Sequence, residues 1–231
     1  MRARAETLPQ GDEKVQMVTA MFDAIAPRYD LVNRVMTFGL DVLWRRRTVT
    51  ALGLPPGAAV IDLACGTGDL CTALRRQGLR ACGVDLSAGM LAAARCNDPL
   101  VRADVVRLPF PDAAFDGATC GFALRNVADL EAFLSEVARV VRPGGRIGLL
   151  EVSEPSGPLL RWGHRVWFGR AVPLIGGLLS DPAAYRYLPR SVAYLPPPDQ
   201  LLASIAAAGF VNGCRMPLSG GIAQLFVGGR A

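Results

Sequence analysis

The apolar positions of this chain change rhythm once, near residue 58. Before it, in VQMVTAMFDAIAPRYDLVNRVMTFGLDVLWRRRTVTALG, apolar residues recur at intervals of three and four, punctuated by Pro27 and Gly39. That spacing predicts two or three short helices. From Ala58 onward, β-branched runs alternate with helical stretches. AAVIDLA reads as a strand, DLCTALRRQG as a helix stopped by Gly78, and LRACGVDLS as a strand. SAGMLAAARCN follows as a helix with Ser87 at its N-cap, and LVRADVV as a strand. FDGATCGFAL, DLEAFLSEVARVV and GGRIGLLEVS continue the series as strand, helix and strand, the last entered through the Pro143-Gly144-Gly145 turn. Beyond Pro158 come helical segments of Trp, Arg and Gly character, then PPPDQLLASIAAAGF as a helix. VNGCRMP and GIAQLFVGG then form a strand hairpin at the sheet edge. The series predicts an α/β fold with a parallel sheet covered on both faces.

Composition narrows the class. The chain has 231 residues, 51% hydrophobic and 19% charged, enough to build one packed domain without staples. One domain over 1–231 is expected, with a helical lid at 13–53, an α/β core at 58–152, a helical region at 157–208 and the hairpin at 209–231. Six cysteines without a CxxC pair read as reduced core residues, and MRARAETLPQGDEK lacks the apolar middle of an export signal. AVPLIGGLL is too short and too broken to span a bilayer. A cytoplasmic protein is the expectation. The net charge of +5 comes almost wholly from arginine, and no dense basic cluster appears beyond Trp44-Arg45-Arg46-Arg47, so no nucleic-acid partner is expected. His164 is the only histidine, which argues against histidine metal sites and Ser-His-Asp catalysis, and no metal is expected. Lys14, the only lysine, lies in a polar N-terminal segment and argues against Schiff-base chemistry.

The candidate chemistry begins at VIDLACGTGDL. A strand breaks into Cys65-Gly66-Thr67-Gly68 and a helix follows, so a ligand comes close to backbone there. In an open parallel sheet this loop lies at the carboxyl ends of the strands. Asp85, ending the next strand, suits two ribose hydroxyls, because a carboxylate only accepts. Asp104, ending the third, suits the exocyclic amine of a base. A dinucleotide would share these features, but the third glycine is missing. Asp62 on the strand and Asp69 at the helix start would also repel a pyrophosphate. Two carboxylates beside the loop favour a ligand with an ammonium or sulfonium, and S-adenosylmethionine carries both together with adenosine.

The combined motifs resemble the class I methyltransferases, and more narrowly the ubiquinone/menaquinone biosynthesis C-methyltransferases. FDAIAPRYDLVN, LRNV and YRYLPRS are the specific segments, and the glycine loop and PGG turn are shared more widely. The resemblance implies a Rossmann-like seven-stranded sheet with N-terminal helices and a helical insert before the hairpin. It matches cofactor-contact positions at Thr67, Asp85, Asp104 and Val105, and with Asp62, Gly66, Gly68, Leu86 and Gly121 these are the expected S-adenosylmethionine residues. At Gly121 the family usually has a serine, so a hydroxyl contact to the cofactor is absent here or replaced by water.

It also implies methyl transfer to a ring carbon of a hydroquinone with a prenyl tail, most closely demethylmenaquinol. Arg125 would stabilise the phenolate, Asn126 would orient the ring hydroxyl or a water, and Tyr29 is a further catalytic candidate. Asn33, Tyr185 and Tyr187 are candidates for the acceptor. The His164 segment, LLRWGHRVWFGRAVPLIGGLL, reads as an amphipathic helix packed on the sheet or on a second copy in a homodimer. Its other reading is a surface for the prenyl tail or for peripheral membrane contact. Three rivals stand beside this reading: an enzyme for a soluble phenol, a non-catalytic cofactor-binding member of a quinone-biosynthesis complex, and a dehydrogenase.

Overall fold

The computed structural model describes residues 10–155, 157–172, 174, 181, 184, 187 and 190–231. Three helices come first: α1 (Gly11–Ile25), α2 (Tyr29–Met36) and α3 (Leu40–Leu52). Gly39, with φ 74, begins α3, and Gly53, with φ 63, ends it, as the left-handed backbone at both places requires. Then β1 (Ala59–Leu63), α4 (Asp69–Arg76), β2 (Arg80–Asp85), α5 (Ala88–Ala92) and β3 (Leu100–Arg102) alternate. They are followed by β4 (Phe115–Gly121), α6 (Leu130–Val140), β5 (Val141–Val152), α7 (Pro158–Val166), α8 (Pro198–Ala207), β6 (Phe210–Leu218) and β7 (Ala223–Arg230).

The seven strands form one sheet in the order β3-β2-β1-β4-β5-β7-β6. Strands β1 to β5 run parallel, and β7 pairs antiparallel with both β5 and β6. The chain's last strand is therefore interior, and β6 is the edge. Burial explains the choice: Ala223–Gly229 is buried throughout, as an apolar run between two strands should be, whereas most of β6 is exposed. The helix expected over SAGMLAAARCN is shorter, ending at Ala92, although Ser87 does cap it by accepting from the Met90 N–H at 3.0 Å.

Two apolar layers cover the sheet. On one face, Phe133, Leu134 and Val137 of α6 and Leu201 and Ile205 of α8 pack against Ile61, Ile147 and Phe226. On the other, Val49 and Leu52 of α3 and Leu70, Cys71 and Leu74 of α4 pack against Val60 and Ala81. Gly148 lets α3 approach β5: a Cβ there would sit 3.1 Å from Thr48 Cγ2. So α3 belongs to the sheet's own cover, while α1 and α2 lie over the carboxyl ends of the strands. Each large core side chain, such as the fully buried Phe133, contributes about 2–3 kcal/mol by leaving water.

Candidate functional site

Two cavities open where the parallel strands end. The larger, about 770 Å³, lies between the β1, β2, β3 and β4 loops and helix α1. Gly66, Asp85, Leu86, Asp104, Val105, Gly121, Asn126 and Tyr29 line it together. Asp62, Thr67 and Gly68 do not. Gly68, with φ 84, lets the loop turn beneath Cys96, whose Sγ would be 2.4 Å from an added Cβ. Gly66, with φ 56, leaves open space where its side chain would be, the nearest atom being Met90 Sδ at 3.9 Å from such a Cβ. At Gly121 a Cβ would meet Leu70 Cδ1 at 2.8 Å, so a serine there would displace the packing of α4.

Asp85 organises this cavity. Its Oδ2 accepts the Gly66 N–H at 2.8 Å and its Oδ1 the Ser87 N–H at 2.8 Å, tying the β1 and β2 loops together. Each oxygen retains capacity for a hydroxyl donor. Burial raises the Asp85 pKa, and the backbone donors oppose that shift. Asp104 Oδ1 accepts the Val106 N–H at 3.1 Å, and the carboxylate lines the cavity beside Val105.

The charges assigned to the loop acids from sequence need correction. Asp69 is not an open carboxylate: Arg34 donates to it at 3.0 Å and Arg45 lies 3.5 Å away, while both arginines also pair with Asp41. Asp62 is 1% exposed behind the loop, accepting the Thr119 hydroxyl at 2.7 Å and the Cys71 thiol at 3.7 Å. Desolvation pushes its pKa up to about 7. Repulsion of phosphate by these two acids is therefore weaker than their sequence positions imply. Thr67 turns away from the cavity and donates to Asp30 of α2 at 2.5 Å.

The smaller cavity, about 260 Å³, has apolar walls of Met36, Trp44, Phe122, Phe168 and Ile222, with Asn33, Arg125 and His164 among its polar residues. Tyr29 and Phe122 line both cavities and so mark where they adjoin. Burial raises the Tyr29 pKa, opposed by a side-chain hydrogen bond with Asn33 and by the charges of Arg45 and Arg125, so the phenol remains a donor at neutral pH. Arg125 is 6% exposed. Its Nη1 donates to Glu151, itself fully buried, its Nε donates to Ser191 at 3.1 Å, and its backbone N–H reaches Glu151 at 3.3 Å. The guanidinium is thus half of a buried ion pair. Tyr187 donates to Asn126 Oδ1 at 3.2 Å. Tyr185 lies outside the described residues.

Sequence reasoning missed Glu151, Asp30 and Phe122, and gave Ser87 only as a helix cap. The first two act through partners far along the chain. Phe122 carried a signal, standing between Gly121 and the LRN turn at the end of a strand.

The profile of the ubiE/COQ5 methyltransferase family matches residues 10–230. A demethylmenaquinone methyltransferase of Thermus thermophilus is 44% identical over 220 residues, 91% of this chain and all of that protein. The chain belongs to the ubiE/COQ5 methyltransferase family. A ubiquinone/menaquinone biosynthesis C-methyltransferase of Geobacter sulfurreducens is 38% identical across 97% of this chain and 93% of its own. Among solved structures, an S-adenosylmethionine-dependent methyltransferase from Thermotoga maritima has a TM-score of 0.66 at 20% identity. It covers 92% of this chain and 99% of that one. The cyclase SpnF has a TM-score of 0.65 at 17% identity, covering 93% and 95%. These two share the fold, and a fold hosts more than one reaction.

For a member of this family the larger cavity fits the methyl donor S-adenosylmethionine: it is roomy at Gly66, and it carries the strand-end carboxylates of Asp85 and Asp104. When bound, the donor supplies an electrophilic methyl group on a sulfonium. Asp85 would hold the ribose, and Asp104 and Val105 the base.

Proposed function

We propose that this methyltransferase transfers its methyl group to a ring carbon of demethylmenaquinol. The observation that carries the reading is the pair of adjoining cavities: one lined by carboxylates and backbone, the other by aromatic and aliphatic walls, with Tyr29 and Phe122 between them. The smaller suits a flat fused ring better than a charged or heavily hydrated acceptor. The names of the Thermus thermophilus and Geobacter sulfurreducens relatives support the same acceptor class.

The chemistry needs a nucleophilic ring carbon held in line with the methyl group. A ring hydroxyl that loses its proton donates electron density to the neighbouring carbon. Arg125, whose Nε and Nη1 are taken by Ser191 and Glu151, lines the smaller cavity together with Tyr29, and its remaining nitrogen and the Tyr29 hydroxyl are the donors for that oxygen. Two donors in an apolar cavity favour the ionised oxygen at the moment charge develops. The new carbon–carbon bond forms as the sulfur–methyl bond breaks, and the ring carbon then sheds its hydrogen as a proton, restoring aromaticity. Holding the two reactants in line supplies much of the acceleration.

The prenyl tail leaves by the α7 side of the smaller cavity, beside His164, Arg165 and Phe168. Leu159, Trp162 and Val166 of α7 are exposed, at 81%, 67% and 40%, with Arg161 and Arg165 between them. That composition suits a bilayer surface, with Trp and Arg at the headgroup level. No helix among the described residues is long and apolar enough to cross a membrane.

The acceptor assignment is tested with purified protein, S-adenosylmethionine and three acceptors presented separately in detergent: demethylmenaquinol, a demethylated benzoquinol with the same tail, and a tail-free phenol. Demethylmenaquinol is expected to be methylated with the highest kcat/KM. Preference for the tail-free phenol overturns the reading.

A further inference from the structure

Helix α1 turns one face to the larger cavity. Gly11, Val15, Val18 and Phe22, spaced by four, three and four residues, line it together, so α1 is a roof over the methyl-donor site. Its far end is fixed to the β2 loop. Asp23 Oδ1 accepts the Ser87 hydroxyl at 2.5 Å and the Gly89 N–H at 2.8 Å. Gly89 is needed for that approach, since a Cβ there would lie 2.8 Å from Asp23 Cα.

The near end is fixed by the chain's only lysine. Lys14 is 4% exposed, contrary to its expected place in a solvated segment. Its Nζ donates to the Val127 carbonyl at 2.8 Å and lies 3.9 Å from the centroid of the Tyr194 ring. Val127 follows β4 and Tyr194 precedes α8, and both line the same cavity as α1. One ammonium thus ties α1 to two neighbouring loops of the site. No carboxylate is ion-paired with Lys14 among the described residues. Burying that amine is costly, as its pKa, lowered to about 8 by desolvation, reflects. An apolar residue would fill the roof at less cost, so packing alone does not account for a lysine here.

We propose that Lys14 is a positioning residue that clasps helix α1 shut over the bound cofactor, and that it thereby sets how long cofactor and product remain in the site. The carbonyl and the aromatic face it grips belong to two neighbouring loops, one after β4 and one before α8, that pack against each other at the rim of the cavity. Opening the roof must break both contacts, and closing it excludes water from the cofactor.

The inference rests on the methyl-donor reading of the cavity, and its test needs no acceptor. S-adenosylhomocysteine dissociation is followed by stopped-flow displacement for wild type, Lys14→Met and Lys14→Arg, with thermal melting of each ligand-free protein alongside. For Lys14→Met the off-rate is expected to rise by about tenfold to a hundredfold, the range of one charge-assisted hydrogen bond, with the ligand-free melting temperature unchanged or raised, since an apolar chain replaces a buried amine. Lys14→Arg, which keeps charge and donor, is expected to recover most of the residence time. An off-rate for Lys14→Met within about twofold of wild type overturns the clasp, as does a rise accompanied by a matching loss of ligand-free stability, since less than about 0.4 kcal/mol is at stake in a twofold change. Failure of wild type itself to bind S-adenosylhomocysteine overturns the reading of the cavity.

Discussion

The buried pair Arg125–Glu151 allows the structural and the chemical roles of an arginine to be separated. Replacing Glu151 with glutamine keeps the shape and leaves an oxygen for the Val152 N–H, which Glu151 accepts at 2.8 Å, but removes the charge opposite Arg125. Glu151 is 0% and Arg125 6% exposed, so water replaces little of the lost interaction. Breaking such a pair from one side costs about 3–5 kcal/mol, because a charge is left buried without compensation. For a chain of this length, that is a fall of roughly 6–20 °C in melting temperature. The double change Arg125→Met with Glu151→Leu removes both charges and is expected to restore most of the lost stability. It should restore no methyl transfer, because the acceptor oxygen has then lost its cation. Urea unfolding gives the stabilities, and turnover on the same samples gives the activities. If Glu151→Gln costs less than about 1 kcal/mol, or the double variant is no more stable than the single one, the pair is not the buried, mutually compensating unit described here.

Further outcomes are expected elsewhere. Asp85→Ala should weaken S-adenosylmethionine binding by at least about a hundredfold, the lower end of what two hydrogen bonds to a charged group are worth, as read by calorimetry. Arg125→Ala should depress turnover far more than cofactor affinity, and the reverse pattern would exchange the two roles. The Asp62 carboxyl keeps its proton up to about pH 7 in the folded protein but ionises near 3.8 when unfolded. The folded state therefore binds more protons across that window, and stability linked to this group falls as pH rises through it. Asp62→Asn should gain stability relative to wild type between pH 4 and pH 8 in thermal melts, and a gap that shrinks over that range would contradict the assignment. Leu159→Ser with Trp162→Ser should reduce flotation with anionic vesicles and leave S-adenosylmethionine binding intact.

The parts of this protein legible in its sequence are those whose cause is local. Gly66 and Gly68 announce a left-handed turn, and Asp85 and Asp104 announce strand ends, because backbone conformation and strand period are written within a few residues. The closing hairpin was also legible, but only as two strands at the sheet edge, because a hairpin alone does not say which of its strands faces the sheet. Charges were not legible in the same way. Asp69 reads as an open acid until Arg34, 35 positions earlier, is seen to hold it. Lys14 reads as solvated until Val127, 113 positions later, is seen to accept its hydrogen bond. Arg125 reads as a free cation until Glu151 is found beside it. A charged side chain takes its role from its partner, and the partner is supplied by the fold.

The most direct test of the account uses S-adenosylmethionine with a deuterated methyl group and demethylmenaquinol as the acceptor, with the quinol product analysed by mass and by NMR. The two adjoining cavities predict an intact deuterated methyl on the unsubstituted carbon of the quinol ring, with S-adenosylhomocysteine formed in equal amount. A deuterated methyl found on a ring oxygen, or S-adenosylhomocysteine formed without any methylated quinol, would contradict it.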